Sequence, residues 1–451
     1  MAFVNNLMTR RSLIAVLIAA ALVPASAGAT VKETCAPAGE PAQAICYGGD
    51  VIMRDGEAYA QPGRFETALR AYESSWTHRT LAFQYELAGD VGMVNAPWLG
   101  THNSFNSIAQ QGPALSTTDA NQQLSLVDQL RMDMRSLELD VHWFPSVRAG
   151  GQNAPVVCHA GAISDHDGCS TEPLLGPVLD QLAPWLRAHR DQVLLLYMED
   201  HLSGGGYPAA VAAIKQSLGS LVYRTGSKSG SCVELPSTLT RSEVLAAGAQ
   251  VVMVANSGCG EGADWRSLAF SWRNHVEETP HGFQDFPRCG PNFKRADYDT
   301  KLVRYYEDST WLSAGAGAAS GSPEGEGLTP ADVSAMTRCG VDLFGFDQLQ
   351  PGDGRNEAAV WSWAQGEPSR GSCTEMRPDG RWYSAGCKPK RPAACRRGDG
   401  SWLISAKAVK AADAPRACAV NGAKFDAPRT GYDNESLKSV ARQERVWLGL
   451  S

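Results

Sequence analysis

The sequence lacks most of the features that would place a protein inside a membrane or on a nucleic acid. Its longest apolar run, at 13–23, has about a dozen residues, well short of the roughly 20 that span a bilayer. No basic run occurs, aromatic and basic residues do not interleave, and the formal net charge is −7. These absences argue against a transmembrane protein and against a nucleic-acid partner.

The residues on either side of the apolar run at 13–23 are typical of a secretory signal peptide. Arg10 and Arg11 precede it, and small residues ending in Ala25-Ser26-Ala27-Gly28-Ala29 follow it. We therefore predict a signal peptide over residues 1–29 and a secreted mature protein, extracellular or periplasmic. The arginine pair fits either twin-arginine export or an ordinary signal peptide, and the route stays open.

Cysteine usage agrees with export. The 12 cysteines are even in number and lack the Cys-x-x-Cys spacing of a zinc site, so we expect disulfides. The close pairs Cys35 with Cys46 and Cys158 with Cys169 are the first candidates, because each would close a short loop. The sequence does not decide the remaining connectivity.

Short apolar runs alternate with helical patterns between about residues 91 and 350, which is how βα units look in a sequence. The strand candidates are Val94–Leu99, Leu137–Val141, Pro155–Cys158, Gln192–Met198, Gln250–Ala255 and Val341–Phe346. We predict an α/β fold with a TIM-like (β/α)8 barrel over 91–350, of which six strands are visible, and a leader at 30–90 that packs on it. Residues 356–451 hold five tryptophans and four cysteines and predict a small disulfide-stapled module.

Polar side chains that suit catalysis or metal binding follow four of the candidate strands. On Leu137–Val141 the period of two places Glu138 and Asp140 on one face, and a barrel strand covered by helices would turn that face inward. Buried acids there need a cation or a reaction to justify their burial. The strand ends carry His102 with Asn103, Glu138 with Asp140, His159, and Glu199. The oxygen ligands among them suit Ca²⁺, and the two histidines suit proton transfer.

These residues resemble the X region of phosphatidylinositol-specific phospholipase C. The resemblance covers mainly residues 94–201 and continues weakly to about 349. The calcium-dependent branch of that family is the more similar, because Asn103 stands where the metal-independent branch typically has Asp. The motifs that carry the resemblance are Thr101-His102-Asn103-Ser104, Leu137-Glu138-Leu139-Asp140, Cys158-His159-Ala160 and Leu196-Tyr197-Met198-Glu199-Asp200.

The resemblance implies a phosphodiesterase that acts on a phospholipid headgroup at a membrane surface through attack by a neighbouring hydroxyl. His102 would stabilise the pentacoordinate phosphorane and His159 would protonate the leaving oxygen. Glu138 or Glu199 would accept the proton of the attacking hydroxyl. The calcium ligands implied are Asn103, Glu138, Asp140 and Glu199.

Other assignments rest on residue type and position alone. Lys294, Arg295 and Arg304 are candidates for substrate contacts, because they are basic and lie in the later half of the predicted barrel. Asp347 follows the last candidate strand and is a candidate to orient a catalytic histidine. His142 fits a structural role, and His201 has no assigned role.

Two other functions compete with the phospholipase C reading. A glycerophosphodiester phosphodiesterase would use a related barrel, but its signature begins His-Arg-Gly, whereas this chain has His102-Asn103-Ser104. A secreted binding protein with an inactive barrel would act through the tail. The tail contains pieces that resemble a C-type-lectin-like fold in a different order, which suggests a glycan or surface ligand, although its tryptophans more often form the core of a small domain.

Overall fold

The computed structural model describes residues 49–54, 57–62, 64–107, 109, 120–159, 169–228, 230–255, 259–278, 283–290, 293–309 and 327–450. The predicted signal peptide and the candidate pair Cys35 and Cys46 lie outside these residues. Within them, no helix combines the length and the apolar character needed to cross a membrane.

The strands and helices are numbered in chain order. The strands are β1 (Gly49–Arg54), β2 (Glu57–Pro62), β3 (Trp98–Thr101), β4 (Ser136–Ser146), β5 (Gln152–Val157), β6 (Leu194–His201), β7 (Val251–Ala255), β8 (Ala269–Ser271), β9 (His275–Glu277), β10 (Leu302–Tyr306), β11 (Leu343–Phe346), β12 (Cys373–Met376), β13 (Trp382–Ala385), β14 (Ala394–Arg396), β15 (Trp402–Ile404), β16 (Lys424–Phe425) and β17 (Val446–Leu448). The helices are α1 (Arg64–Glu73), α2 (Trp76–Leu87), α3 (Leu126–Arg131), α4 (Leu175–Ala188), α5 (Gly206–Ser217), α6 (Arg241–Ala246), α7 (Ala263–Arg266), α8 (Pro330–Cys339), α9 (Arg355–Ala358), α10 (Ala414–Ala419) and α11 (Gly431–Ala441).

One large sheet forms an irregular barrel. Its strands follow the order β8-β7-β6-β4-β3-β11-β10-β9, and every pairing along this path is parallel. The two outermost strands belong to one chain segment, since only residues 272–274 separate β8 from β9. Fully extended, that connection spans about 14 Å, so the two ends of the sheet must curl towards each other. The expected α/β fold with an irregular TIM-like barrel is confirmed.

The two faces of the sheet have different neighbours. Leu137, Leu139 and Val141 of β4 pack in the core between the sheet and the helices. The residues that alternate with them, among them Glu138 and Asp140, face the interior, because successive strand residues point to opposite sides. Apolar residues fill the rest of the interior, including Trp98, Leu195, Val252, Val254, Phe270, Leu302 and Leu343.

A glycine makes room for an aromatic ring inside the barrel. A Cβ atom at Gly345 of β11 would lie 2.3 Å from the ring of Tyr306 on β10, the strand paired with it. No side chain larger than hydrogen fits there without displacing that ring. The ring of Tyr306 in turn lies 5.7 Å from the ring of His102, so this glycine supports the residues beneath the mouth of the barrel.

The segment Pro155–Cys158 differs from the expected βα strand. β5 is antiparallel to β4, with Val157 paired to Val141. The cause is the length of β4, whose 11 residues extend past the barrel rim and allow the chain to return as a hairpin. The disulfide Cys158–Cys169, expected from the sequence, is present with a Cα–Cα distance of 5.2 Å.

The tail folds around its tryptophans. Two three-stranded sheets, β13-β12-β17 and β15-β14-β16, are stapled by Cys373–Cys387 and Cys395–Cys418. The five tryptophans of the tail are all buried, at most 6 % exposed, namely Trp361, Trp363, Trp382, Trp402 and Trp447. They are core residues, and none presents an open ring face for a sugar.

Helix α2 joins the barrel to this module. Phe83 contacts the rings of Trp363 and Trp382 at centroid distances of 5.7 and 6.1 Å. The buried side-chain oxygen of Gln84 accepts hydrogen bonds from the backbone of Trp361 and from both the backbone and the hydroxyl of Ser362.

We expect Gln84→Leu to lower the free energy of unfolding by about 2–4 kcal/mol, because three buried donors would lose their acceptor. Denaturant unfolding followed by tryptophan fluorescence measures the change. Gln216→Leu, on an exposed position of α5, is the control and should alter stability by no more than about 0.5 kcal/mol. Equal effects of the two substitutions would contradict a specific role for Gln84.

Candidate active site

His102 and Asp347 form an ion pair at the mouth of the barrel. They follow β3 and β11, which are parallel neighbours with Thr101 paired to Phe346, so the residues after the two strands meet. His102 Nδ1 lies 3.2 Å from Asp347 Oδ2. Burial by itself lowers the pKa of His102, but the charge and hydrogen bond of Asp347, with the charges of Glu138 and Asp140, outweigh it and raise the pKa to about 10. His102 is therefore an imidazolium at neutral pH.

Asp347 is held in place by donors that the sequence analysis did not identify. The backbone N–H of Ser309 donates to its Oδ2 at 2.6 Å, and the side-chain amides of Asn121 and Gln122 donate at 3.3 and 3.1 Å. Burial nevertheless raises the pKa of Asp347 to about 7, even though His102 acts to lower it. The polar run at 121–123 gave no recognisable motif, and only its burial in the folded chain shows its role.

A buried ion pair lies behind Asp347. Glu307 accepts a hydrogen bond from the backbone N–H of Asp347 and pairs with Arg355, and Arg355 also donates to the Asp347 carbonyl at 3.0 Å. Both side chains are nearly inaccessible to solvent. No sequence signal indicates this pair, since its members lie 48 residues apart and neither belongs to a motif.

The carboxylates predicted from β4 and β6 lie near His102. Glu138 Oε2 is 3.8 Å from His102 Nε2, and Asp140 is in register with Glu199 on the adjacent parallel strand. Asn103 connects these groups. Its backbone N–H donates to Glu138 at 3.0 Å, and its side-chain amide donates to both oxygens of Asp140 while accepting from His102 Nε2 at 3.2 Å.

The backbone of Asn103 adopts a left-handed conformation, with φ of 42°. Asparagine tolerates this region better than most residues, because its short polar side chain can make local hydrogen bonds. The turn directs both the backbone N–H and the side-chain amide of one residue at the two acids of β4.

The two acids of β4 are buried, and the cations near them only partly offset that burial. Glu138 and Asp140 are 3 % and 5 % exposed. Burial raises the pKa of Glu138, against the lowering effect of His102 and Arg304. Burial followed by repulsion from Glu138 and Glu199 raises the pKa of Asp140 well above its usual range. Carboxylates are a donor type that a hard divalent cation such as Ca²⁺ prefers, whereas the amide oxygen of Asn103 faces His102 Nε2.

Glu199 is the most accessible of these acids, with 37 % of its side chain exposed, and it bonds to His201 at 3.0 Å. That bond lowers the pKa of Glu199, whereas burial acts to raise it. The His201 ring stacks on the buried ring of His142, with 4.3 Å between centroids. His142 and His201 therefore contact each other, and His201 also contacts Glu199.

One group of potential ligands is excluded. Among the described residues, the only trio of His, Cys, Asp or Glu whose ligand atoms all lie within 4.8 Å of one another is His142, Cys158 and Cys169. The two cysteines form a disulfide, so they offer no thiolate to a metal. The oxygens of Glu138, Asp140 and Glu199 are more widely spaced, and a cation bound among them would compete with His201 for Glu199.

His159 directly follows the returning strand β5. The backbone N–H of Cys158, the residue before it, donates to the carbonyl of Asp140 at 3.2 Å. His159 is half-buried. The disulfide to Cys169 fixes the end of β5 just before this histidine.

The three basic candidates lie in different places. Arg304 points into the barrel, where its guanidinium lies over Tyr306 and Trp272 at 4.5 and 4.7 Å and lowers the pKa of Glu138. Arg295 instead pairs with Asp342 at 3.1 Å, before β11 begins, and Lys294 is exposed beside it. Residues that precede β10 lie at the amino ends of the strands. Lys294 and Arg295 are therefore not brought together with the histidines.

Comparisons with known proteins show the family of this chain. The family model described as the Rv2075c PI-PLC-like domain matches residues 64–353. Two uncharacterized proteins of Mycobacterium tuberculosis, MT2135 of strain CDC 1551 and Rv2075c of strain H37Rv, are each 43 % identical over 392 residues, which is 83 % of this chain and 80 % of theirs.

Solved structures of phosphatidylinositol-specific phospholipase C are more distant. The enzyme of Listeria monocytogenes is 12 % identical with a TM-score of 0.38, over 61 % of this chain and 97 % of that one. A pentafluoro-Phe form of the Staphylococcus aureus enzyme is 14 % identical with a TM-score of 0.38, over 64 % of this chain and 97 % of that one. The family assignment therefore rests on the family model and the mycobacterial relatives.

We expect Asp347→Asn to lower the pKa of His102, because it removes the strongest group that opposes the effect of burial. In the unaltered protein the ring stays charged until the pH approaches 10, and in the variant it should lose its proton at a lower pH. Two-dimensional NMR of the histidine ring nitrogens across a pH series measures this. Asp191→Asn, at an exposed site, serves as the control, and an unchanged His102 pKa in Asp347→Asn would contradict the assignment.

Proposed function

This chain belongs to the family of Rv2075c PI-PLC-like domains, and we propose from that membership that it is a secreted phosphoric diester hydrolase of the phospholipase C type. The observation that carries the proposal is the charged His102–Asp347 pair beside the buried acids of β4. A barrel without a reaction or a cation at its mouth has no physical need for such a group of buried charges.

The proposed reaction is attack on phosphorus by a hydroxyl of the substrate that neighbours the phosphodiester. A bond forms from that oxygen to phosphorus while the bond to the lipid alcohol breaks, which gives a cyclic phosphate. Glu138 takes the proton of the attacking hydroxyl, and His159 gives a proton to the departing oxygen. His102, held as an imidazolium by Asp347, cannot act as a base at neutral pH and instead stabilises the charge that develops on the phosphoryl oxygens.

The group of oxygen ligands supports a calcium requirement. Asn103, Glu138, Asp140 and Glu199 would hold the ion, with Glu138 shared between this role and proton transfer. A bound calcium ion would lower the pKa of the attacking hydroxyl and neutralise charge on the phosphate. Arg304 lies close enough to the acids to influence the pKa of Glu138, and it is the basic candidate that we propose to assist a substrate phosphate.

The proposed substrate is a phospholipid or another phosphodiester at a membrane surface. Export is supported by the sequence of residues 1–29 and by the disulfides, of which five lie among the described residues. We also propose a surface or glycan ligand for the C-terminal module. The buried tryptophans of the module would not contact that ligand.

We expect the purified protein to convert phosphatidylinositol in micelles to a cyclic inositol phosphate, visible by phosphorus NMR, with activity lost on chelation of calcium. His102→Ala and His159→Ala should each lower the rate by about 10²- to 10⁴-fold, whereas His189→Ala, an exposed histidine on the barrel surface, should retain it. Release of glycerol phosphate from glycerophosphodiesters would favour the glycerophosphodiesterase alternative, and no turnover of either substrate would contradict the enzyme proposal.

We expect Asp140→Asn and Glu199→Gln to weaken calcium binding by at least about 10-fold, because each removes a charged oxygen ligand. Titration calorimetry on the full chain measures the affinity without need of turnover. Binding should also weaken as the pH falls, since protons compete for acids whose pKa is raised. Glu261→Gln, at an exposed position, is the control, and calcium binding unaffected by the two site substitutions would place the ion elsewhere.

A further inference from the structure

A second cavity lies at the opposite end of the barrel from the active-site mouth. Its volume is about 360 Å³, which falls in the usual range for sites that bind small molecules. Its wall includes Arg135, Gln192 and Asp342, which come just before strands β4, β6 and β11. Residues that precede parallel strands lie at the amino ends of those strands, whereas His102 and Asp347 follow strands and lie at the carboxyl ends. The cavity is therefore separate from the proposed active site.

The wall of this cavity is mainly apolar. Its apolar side chains come from α2, β3, α3, α4 and the start of β11, and they include Leu81, Leu99, Leu130, Trp185, Val341 and Phe344. At roughly 30 Å³ for each non-hydrogen atom, the share that a water molecule takes in the liquid, the cavity accommodates about twelve such atoms. An apolar chain of that size would gain free energy on leaving water, because its surface and that of the wall are buried together.

Asp133 holds two cationic side chains in the same wall. His78 Nδ1 lies 3.0 Å from Asp133 Oδ2, and Arg135 Nη2 lies 3.9 Å from Asp133 Oδ1. The hydroxyl of Tyr72 donates to the same carboxylate at 2.7 Å and accepts from Asn356 at 2.8 Å, so the carboxylate is held in place. The hydrogen bond to Asp133 raises the pKa of His78, against the lowering effects of burial and of Arg135. His78 therefore stays charged to a higher pH than an ordinary histidine.

Each of the two cations keeps an unused donor. Nε and Nη1 of Arg135 donate to Gln192 and to two backbone carbonyls. No hydrogen bond from Arg135 Nη2 or from His78 Nε2 occurs within the described part of the chain. Arg135 is only 9 % exposed, and its guanidinium lies 4.8 Å from the ring of Trp185. A charged donor so far removed from water is stabilised when a ligand oxygen accepts from it.

The number of charges and donors favours a carboxylate as the ligand group. His78 and Arg135 together carry two positive charges against the single negative charge of Asp133, so one monoanion restores neutrality. Both side chains flank one carboxylate, and their two unused N–H groups match the two oxygens of a second one. A phosphate would bring more oxygens and more charge than these donors satisfy.

The other acids in the wall already have partners or face water. Glu73 bonds to Arg131 at 2.7 Å, and Asp342 pairs with Arg295 at 3.1 Å. Asp191 is exposed to solvent. None of these three acids leaves an unpaired charge in the interior of the cavity that would favour an amine over an acid.

We propose that this cavity binds an apolar monocarboxylate of the size of a medium-chain fatty acid. Its carboxylate accepts hydrogen bonds from His78 and Arg135, and its chain lies along the apolar wall. The site is distinct from the one that holds the catalytic histidines of the proposed phosphodiesterase. Its occupancy can therefore be measured without reference to any enzymatic activity.

The test measures binding to the full chain by titration calorimetry. Octanoate is compared with three probes that each change one feature: acetate lacks the chain, 1-octanol lacks the charge, and octylammonium carries the opposite charge. The site variant is His78→Gln. The matched control is His189→Gln, which alters the other histidine of the wall, an exposed one whose Nδ1 lies 2.8 Å from the carbonyl oxygen of Trp185. Thermal unfolding verifies that both variants are folded.

We expect octanoate to bind the unaltered protein with a Kd of about 10 µM to 1 mM. The affinity should fall about fourfold for each methylene removed from the chain, because each removal leaves less apolar surface to bury. Two-dimensional NMR should show a shift of the ring-nitrogen signals of His78 on binding. His78→Gln should weaken the binding of octanoate by at least about 10-fold through loss of a charged donor, and His189→Gln by less than about threefold.

Four results would overturn the proposal. Octanoate could fail to bind, or acetate could bind as tightly, which would leave no role for the apolar wall. Equal affinity for 1-octanol would show a cavity without charge selectivity, and equal affinity for octylammonium would show an acidic one. Equal weakening of octanoate binding by the two histidine variants would place its carboxylate away from His78.

Discussion

The burial of several carboxylates at the carboxyl ends of parallel strands is the constraint on which the rest of the structure depends. Buried charges persist only when donors or opposite charges surround them. Asp347 receives His102, two side-chain amides and a backbone N–H, whereas the acids of β4 have Asn103 and the more distant His102 and Arg304. The raised pKa of Asp140 shows that this compensation is incomplete, which is the physical basis for proposing a calcium ion there.

The geometry around His102 and Asp347 depends on residues that lie far apart in the described chain. Arg355, on the short helix after the barrel, supports Asp347 through its carbonyl and through Glu307. The backbone of Trp361 and Ser362, shortly after Arg355, donates hydrogen bonds to Gln84 of α2. These bonds hold the segment that leads into the module. The leader helix, the barrel and the module therefore share one packed network, so a destabilised module would disturb the support of the His102–Asp347 pair.

Local sequence was a good guide wherever side-chain type and strand period agreed. The alternation at Glu138 and Asp140, the acid Glu199 near the carboxyl end of β6 and His102 after β3 could all be recognised, because an apolar run that turns polar marks the carboxyl end of a buried parallel strand. Strands β8, β9 and β10 were not recognised, since they are short and lie in a segment without a clear period. Lys294 and Arg295 were misplaced because β10 was not recognised, so nothing in the sequence showed that they precede a strand.

The sequence by itself determined the α/β class, the barrel with its separate Trp- and Cys-rich module, and the identity of most ionisable groups around His102, because these follow from short-range period and motif. Only the tertiary structure decided that β5 returns as a hairpin with Cys158 beside Asp140, and that Asn121 and Gln122 hold Asp347. Each of these depends on contacts between residues far apart in the chain, and no local pattern encodes which distant partner a polar side chain will meet.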